Sequence, residues 1–250
     1  MGYDAPNSFD DVRRISTPWL AREGGQALAA DVNALSATHM GAPGHVTVMG
    51  HSYGSTTVAD AAVMGMHAND VVLLGCPGTD LAHNASDFHL DGGHLYVGAA
   101  STDPVSWLGV SPDADVVANA VLGSPLGPVP GLGADPAGQG FGAIRFDAEV
   151  PNSDGINQQH DHSHYYAMGS ESLRSMADIV SGHSDRLGGE GLLAPLRHQP
   201  EVVSPDHIDL PFAGRVDVPQ VHIPVPGTPN VIDPEWNRPG GTINDNHQYQ

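Results

Sequence analysis

Apolar and polar residues follow two different periods along the first 182 residues of the chain, which predicts strands and helices in alternation. Short apolar, mostly β-branched runs have the length of strands, and the run at 70–75 is almost wholly apolar, as strands of a buried parallel sheet are. Between these runs, apolar residues recur at helical spacing. The predicted elements, in chain order, are a helix over 18–38, a strand over 45–50, a helix over 53–66, strands over 70–75 and 94–99, and a helix that follows Ser170. Strands that alternate with helices indicate an α/β fold, with a mainly parallel sheet flanked by helices.

The distribution of proline and glycine divides the chain into two predicted parts. Ten of the 21 prolines lie after Gly182, and prolines this dense remove amide donors and interrupt both helices and strands. We therefore expect residues 1–182 to form the α/β domain and residues 183–250 to form a Pro-rich tail, disordered or draped over the surface. Within the domain, residues 104–142 are rich in glycine and proline, which is typical of a loop or lid over the edge of the sheet.

Composition and charge exclude several classes of function. With 9 Lys+Arg against 29 Asp+Glu, the formal net charge is −20, which argues against nucleic acid and anionic lipid as partners, because both are polyanions. All nine basic residues are arginines, so mechanisms that need a lysine amine are excluded. We find no apolar run long enough to span a membrane and no pattern of a secretory signal, so a cytoplasmic location is expected. Cys76 is the single cysteine, which excludes an internal disulfide.

A candidate nucleophile stands between the first predicted strand and the helix that follows it. The sequence Gly50-His51-Ser52-Tyr53-Gly54 has the Gly-x-Ser-x-Gly pattern of a nucleophile elbow. In such an elbow, the glycines on both sides relieve crowding, because the turn forces the serine into a strained backbone conformation. The following helix would direct its first amides at negative charge that develops near Ser52. The same string also fits an ordinary strand-to-helix turn with a surface serine, so the pattern leaves both interpretations open.

A serine nucleophile needs a base, and the base needs a carboxylate that orients it. Asp103 follows the predicted strand at 94–99, where a triad acid is expected, although aspartate before proline is also a common turn residue. Downstream of it lie His160, His162 and His164, any one of which could be the base. In an extended segment, these alternate side chains would share a face and could bind a metal, so a metal-binding protein is a rival interpretation.

Several separate blocks of the sequence resemble an actinobacterial α/β-hydrolase family, the Abhydrolase_8 group (DUF1023). The blocks follow one another in the order expected of that family, from residue 2 to about residue 182. They are Gly-Tyr-Asp-Ala-Pro at 2–6, the stretches at 47–56 and 70–78, Asp103-Pro104, Asp135-Pro136 with Phe141-Gly142, and His-Ser-His-Tyr-Tyr at 162–166. The resemblance implies a triad of Ser52 as nucleophile, Asp103 as acid and His162 as base, with the Tyr53 backbone N–H in the oxyanion hole. We expect no cofactor and no metal.

The sequence departs from this family at its beginning. In the family, a strand and a Pro-Gly loop precede the Gly-Tyr-Asp-Ala-Pro segment, and the loop supplies a second oxyanion amide. Here the segment begins at residue 2, so we expect an N-terminally truncated domain that lacks both. The loss of one oxyanion donor typically costs a factor of about 10²–10³ in rate. The sequence therefore predicts a serine hydrolase for a small ester-like acyl substrate, with a non-catalytic truncated pseudo-hydrolase or binding module as the alternative.

Overall fold

A computed structural model of the protein describes residues 17–41, 44–110, 132–151, 158–210, 214–225 and 232–237. Its centre is a sheet of four parallel strands in the order β1-β2-β3-β4, flanked by helices, so the predicted α/β class is confirmed. The strands are β1 (Thr47–His51), β2 (Asp70–Leu74), β3 (Leu95–Gly98) and β4 (Ile144–Phe146). The helices are α1 (Trp19–Thr38), α2 (Tyr53–Val63), α3 (Gln158–Ser163), α4 (Glu171–Val180) and α5 (Arg186–Gly189). No helix among these residues is both long and apolar enough to cross a bilayer.

The central strands divide their side chains between two cores, because successive residues of a strand point to opposite faces of the sheet. Val71 and Leu73 of β2 pack in a cluster with residues of α1 and α2. Val72 and Leu74 pack in the other cluster, with residues of α4 and α5. All of β2 is buried, and full burial of one leucine side chain is worth about 1.5–3 kcal/mol. Strand β2 is therefore packed against a core on each face of the sheet.

The observed elements differ from the predicted ones mainly at their ends. Helix α2 stops at Val63, because Gly65 has a φ of 92° and the amides of Gly65 and Met66 bond back to carbonyl groups of the last turn. The helix predicted after Ser170 is α4, and the Ser170 hydroxyl accepts a hydrogen bond from the Leu173 N–H at 3.0 Å. Strand β4 was not predicted, because three residues are too few for an apolar period to be recognised.

Strand β1 forms an edge of the sheet as far as the described residues show. It is hydrogen-bonded to β2, and Met49 on it is 41 % exposed. The block at 2–6 lies outside the described residues, and so do residues 111–131 of the predicted lid. The predicted lack of a strand beside β1, and of an oxyanion loop, stays a prediction.

Much of the predicted tail packs against the domain. Leu187 and Leu192 are buried in the core cluster shared with α4, and Arg197 is fully buried. Asp233 binds the guanidinium groups of both Arg197 and Arg145, with N–O distances of 2.8 Å. This packing differs from the disordered or draped tail expected from proline content, since it depends on apolar and ionic contacts between residues far apart in the chain. The domain limits of 1–182 and 183–250 stay a prediction.

Between these packed segments, the chain forms two small antiparallel sheets. Strands β5 (Glu201–Val203) and β8 (His222–Pro224) form one, and β6 (His207–Leu210) and β7 (Gly214–Asp217) form the other.

Candidate active site

Ser52 occupies a sharp turn between β1 and α2. Strand β1 ends at His51 and α2 begins at Tyr53, so a single residue makes the turn. Ser52 has φ 59° and ψ −134°, a strained conformation for a residue with a side chain, and its N–H donates to the Leu74 carbonyl at 2.9 Å. The local geometry is that of a nucleophile elbow.

The two flanking glycines contribute differently from the expectation that both relieve crowding. A Cβ on Gly50 would lie 2.6 Å from the Gly54 carbonyl oxygen and 2.7 Å from the Ser55 Cα, so only glycine fits there. A Cβ on Gly54 would meet nothing within 4 Å. Close packing of the elbow thus explains Gly50, whereas Gly54 borders open space.

The structure brings Ser52, His162 and Asp103 together in one hydrogen-bonded chain. His162 Nε2 lies 2.7 Å from Ser52 Oγ, and His162 Nδ1 lies 3.0 Å from each carboxylate oxygen of Asp103. The parallel sheet explains the meeting, because Ser52 follows β1, Asp103 follows β3, and both strands end at the same edge of the sheet. Helix α3 carries His162 to that edge.

Asp103 is fully buried but surrounded by groups that favour its charged form. Burial raises the pKa of its carboxyl, yet His162, the hydroxyl of Tyr165 and the Val105 N–H together hold the pKa below the ordinary value. The Val105 N–H donates to Oδ1 at 2.9 Å and the Tyr165 hydroxyl donates to Oδ2 at 2.7 Å. Asp103 is therefore an ionised acid at neutral pH, able to stabilise a positive charge on His162.

Gly75 makes room for this acid–base pair. It has a φ of 51°, and a Cβ at this position would lie 2.6 Å from Asp103 Oδ2 and 3.1 Å from His162 Nδ1. A side chain here would displace one of the two groups. Sequence analysis did not indicate this role, because Gly75 is far from Asp103 and His162 in the chain and meets them only in the fold.

A second histidine links the elbow to the base. His51 Nε2 donates to the backbone carbonyl of His162 at 2.7 Å, and the two rings are stacked with centroids 4.7 Å apart. Burial, and after it the proximity of His162, lowers the pKa of His51. His51 is thus a neutral group at neutral pH that ties the strand before Ser52 to the helix that carries the base.

The three histidines predicted as alternatives separate in the structure. His162 turns towards Ser52, while the rings of His160 and His164 stack on each other 4.0 Å apart. Across the described ranges, no group of three or more His, Cys, Asp or Glu side chains could hold a metal ion. Cys76 is buried, and burial raises the pKa of its thiol to about 12, so it is not an activated nucleophile.

The backbone N–H of Tyr53 belongs to the first residue of α2, directly after Ser52. First-turn amides of a helix point towards its N-terminal end, where they favour negative charge. The Tyr53 hydroxyl donates to the Thr17 carbonyl at 2.6 Å and accepts from the Ala21 N–H at 3.0 Å, which fixes the start of α1 against α2.

A cleft of about 380 Å³ opens beside the elbow. Its lining residues come from α1, β1 and α2 and are mostly small or apolar, and they include Leu28, Met49, His51, Gly54 and Val58. Ser52, Asp103 and His162 are not among the residues that line this cleft.

Comparison with known proteins places this geometry in context. Residues 1–112 match the model of the alpha/beta hydrolase family Abhydrolase_8. Uncharacterized protein Rv2079 of Mycobacterium tuberculosis H37Rv is 62% identical over 252 residues, covering 100% of this chain and 37% of that protein. Uncharacterized protein Rv0963c of the same strain is 38% identical over 106 residues, covering 42% of this chain and 38% of that protein. In each case, the matched part of this chain covers less than two fifths of the length of the relative. No solved structure matches it significantly.

Proposed function

We propose that this chain is a serine hydrolase of ester-like acyl substrates, because its residues 1–112 match the model of the alpha/beta hydrolase family, which suggests hydrolase activity. The observation that carries the proposal is the chain of contacts from Ser52 Oγ to His162 Nε2, at 2.7 Å, and from His162 Nδ1 to Asp103, at 3.0 Å. A serine at a surface turn has no need of a buried acid–base pair aligned with its hydroxyl.

In the first step, Ser52 Oγ attacks the substrate carbonyl carbon and forms a C–O bond, while its proton passes to His162 Nε2. The carbonyl oxygen becomes an oxyanion, which the Tyr53 N–H and the start of α2 stabilise. Asp103 stays ionised, because its pKa is held below the ordinary value, and it stabilises the imidazolium of His162.

The tetrahedral intermediate then collapses. Its bond to the leaving alkoxide breaks, His162 gives its proton to that oxygen, and an acyl ester of Ser52 remains. In deacylation, a water attacks this ester with His162 as base, and the proton returns from His162 to Ser52 as the acid product leaves. No cofactor is needed for any of these transfers.

Charge suggests the class of substrate. The formal net charge of −20 disfavours long-range attraction of anionic substrates, so we propose a neutral or cationic ester. We place the enzyme in the cytoplasm. Because this chain covers only 37% of the length of its relative Rv2079, the substrate of the whole protein is part of this proposal.

A fluorophosphonate probe, which phosphonylates activated serines, tests the proposal. We expect the folded protein to be labelled, with labelling lost in Ser52→Ala and in His162→Asn. Ser181→Ala is the matched control, since this exposed serine directly follows α4 and its hydroxyl donates to the Asp178 carbonyl of that helix. Absence of labelling in well-folded protein, or labelling that survives Ser52→Ala, would favour the non-catalytic alternative.

A further inference from the structure

Tyr165 is a buried tyrosine whose hydroxyl is held from two sides. The hydroxyl donates to Asp103 Oδ2 at 2.7 Å and accepts a hydrogen bond from the Ala100 N–H at 3.0 Å. Tyr165 and Asp103 are both 0% exposed, and the tyrosine ring packs in the core cluster shared with α4. With its ring packed and both sides of its hydroxyl engaged, the donor has a fixed direction.

We propose that Tyr165 is a positioning residue that fixes the Asp103 carboxylate towards His162 and takes up part of its negative charge. This inference rests on the proposed serine-hydrolase function, because it assigns Tyr165 a role within that triad. The Tyr165 hydroxyl bonds to Asp103 and to the Ala100 N–H rather than to Ser52 Oγ, so it acts through the acid.

The surroundings keep Tyr165 a hydrogen-bond donor. Burial, and after it the charge of Asp103, holds the pKa of the tyrosine hydroxyl well above its ordinary value, although the Ala100 amide and Arg197 counteract in part. The ring of His51 meets that of Tyr165 edge-on, with centroids 5.7 Å apart. The charged or titratable groups that face this tyrosine are thus Asp103, His51 and Arg197.

The effect of the hydroxyl on the base follows from charge sharing. A donor to a carboxylate forms a strong, charge-assisted hydrogen bond and draws electron density from it. Without that donor, Asp103 is still held by the Val105 N–H and His162, but its charge is concentrated on the bond to His162. The imidazole then binds a proton more readily.

Tyr96 supplies a matched control. It is 2% exposed, packs in the same core cluster as Tyr165, and its hydroxyl bonds to Ser184 rather than to the acid. Tyr96→Phe therefore removes a buried hydroxyl from the same core without touching Asp103. A merely structural role of Tyr165 would give the two phenylalanine variants the same behaviour.

The test compares Tyr165→Phe with Tyr96→Phe in two measurements. The first is the pH dependence of fluorophosphonate labelling, whose acidic limb reports protonation of the base. We expect Tyr165→Phe to move this limb upward by about half a pH unit, which makes labelling roughly threefold slower on the acid side. The second is the downfield proton resonance of the Asp103–His162 hydrogen bond, assigned by its loss in Asp103→Asn. We expect it to move further downfield in Tyr165→Phe and to stay in place in Tyr96→Phe.

The outcomes separate this inference from the proposed function. A resonance and a pH limb unchanged in Tyr165→Phe, or shifted equally in Tyr96→Phe, would overturn the role of Tyr165. A resonance that shifts in a protein that the probe does not label would support Tyr165 and contradict the hydrolase function. If Tyr165→Phe does not fold, 3-fluorotyrosine at position 165 replaces it in the test. The hydroxyl of 3-fluorotyrosine is more acidic and donates more strongly to Asp103, so the resonance should move upfield. An unmoved resonance would overturn the inference.

Discussion

Asp103 beyond the end of β3 and Asp60 in the middle of α2 are both fully buried aspartates, yet they favour opposite charge states. Around Asp103, burial is outweighed by His162 and the donors of Tyr165 and Val105, so the pKa lies below the ordinary value. Around Asp60, burial and the neighbouring Asp80 carboxylate raise the pKa to about 8, and Arg22 counteracts only in part.

The difference shows that the groups around a buried aspartate decide whether it is charged, as Asp103 is, or neutral, as Asp60 is. Among the described residues, no N–H or hydroxyl donor reaches the Asp60 carboxyl, so it keeps its proton at neutral pH. At Asp103, a donor from its own loop, the Val105 N–H, and two donors from the segment at 162–165 converge on one carboxylate. Convergent donors, rather than burial, mark the acid that can support catalysis.

The largest effect should come from neutralising the acid of the triad. Asp103→Asn keeps the shape of the side chain but removes the charge that stabilises protonated His162. The asparagine amide can also hydrogen-bond to the His162 tautomer that carries its proton on Nε2, which cannot accept the proton of Ser52. We expect the rate of fluorophosphonate labelling to fall by a factor of about 10³–10⁴ with the fold retained. A labelling rate within a factor of about ten of the wild type would show that Asp103 is not the acid.

Substitution of Gly75 by alanine, which would crowd Asp103, should have the next largest effect. In Gly75→Ala, the new methyl group would lie 2.6 Å from Asp103 Oδ2, so the carboxylate must move away from His162. We expect labelling to slow by a factor of about 10–100, together with a loss of about 1–2 kcal/mol of stability for alanine at positive φ.

Gly182→Ala is the control for the backbone effect at Gly75. Gly182 has a φ of 77° and open space where a Cβ would lie, so its variant should lose stability without losing labelling. Equal labelling rates in the two variants would contradict the role assigned to Gly75.

Asp60 should affect stability rather than activity, and in a defined pH window. Its pKa is about 8 in the folded protein against an ordinary value of 3.8, so the folded state binds a proton that the unfolded state has lost between these values. The contribution of Asp60 to stability is therefore full below about pH 4, declines as the pH rises to about 8, and is constant above that. Asp60→Asn, which is neutral throughout, should remove this decline and be more stable at pH 8 by about 1–3 kcal/mol.

Denaturant unfolding of the wild type and Asp60→Asn at several pH values checks this prediction. Glu149, whose pKa burial raises to about 7, adds a decline of the same sign in both proteins, so the difference between them isolates Asp60. A difference in stability that does not change with pH would contradict the neutral state of Asp60.

The smallest effect should come from the partly exposed cation beside Asp60. Arg22 pairs with Asp80 at 2.7 Å, and solvent screens the arginine, whose side chain is 46% exposed, more than the aspartate, whose side chain is 11% exposed. We expect Arg22→Gln to cost about 0.5 kcal/mol at neutral pH and to leave labelling unchanged. Thermal unfolding measures the change in stability, and the fluorophosphonate probe measures labelling. A loss of labelling would mean that the Arg22–Asp80 pair affects the triad.

The sequence was sufficient to predict the central strands and the candidate nucleophile. Apolar runs marked β1, β2 and β3, and the elbow pattern marked Ser52, because these signals lie within a few consecutive residues. The resemblance singled out His162 among three neighbouring histidines, and the structure places it within hydrogen-bonding distance of Ser52. Its catalytic role stays a prediction until labelling is measured.

What the sequence did not indicate depends on contacts between distant residues. Gly75 and Tyr165 each reach Asp103 from elsewhere in the chain, and Tyr165 had no assigned role although it lies three residues after His162. The ion pairs of Asp233 with Arg145 and Arg197 join residues that composition had assigned to separate parts. Local periodicity carries no information about such pairs, so the packing of the predicted tail could not be foreseen.

The most direct test of the central claim is to trap the covalent intermediate. A p-nitrophenyl ester should acylate the protein, and mass spectrometry of the digested protein should find the added acyl group on the peptide that carries Ser52, with no adduct in Ser52→Ala. An acyl group found only on other residues, or no adduct on the folded protein, would contradict the assignment of Ser52 as the nucleophile.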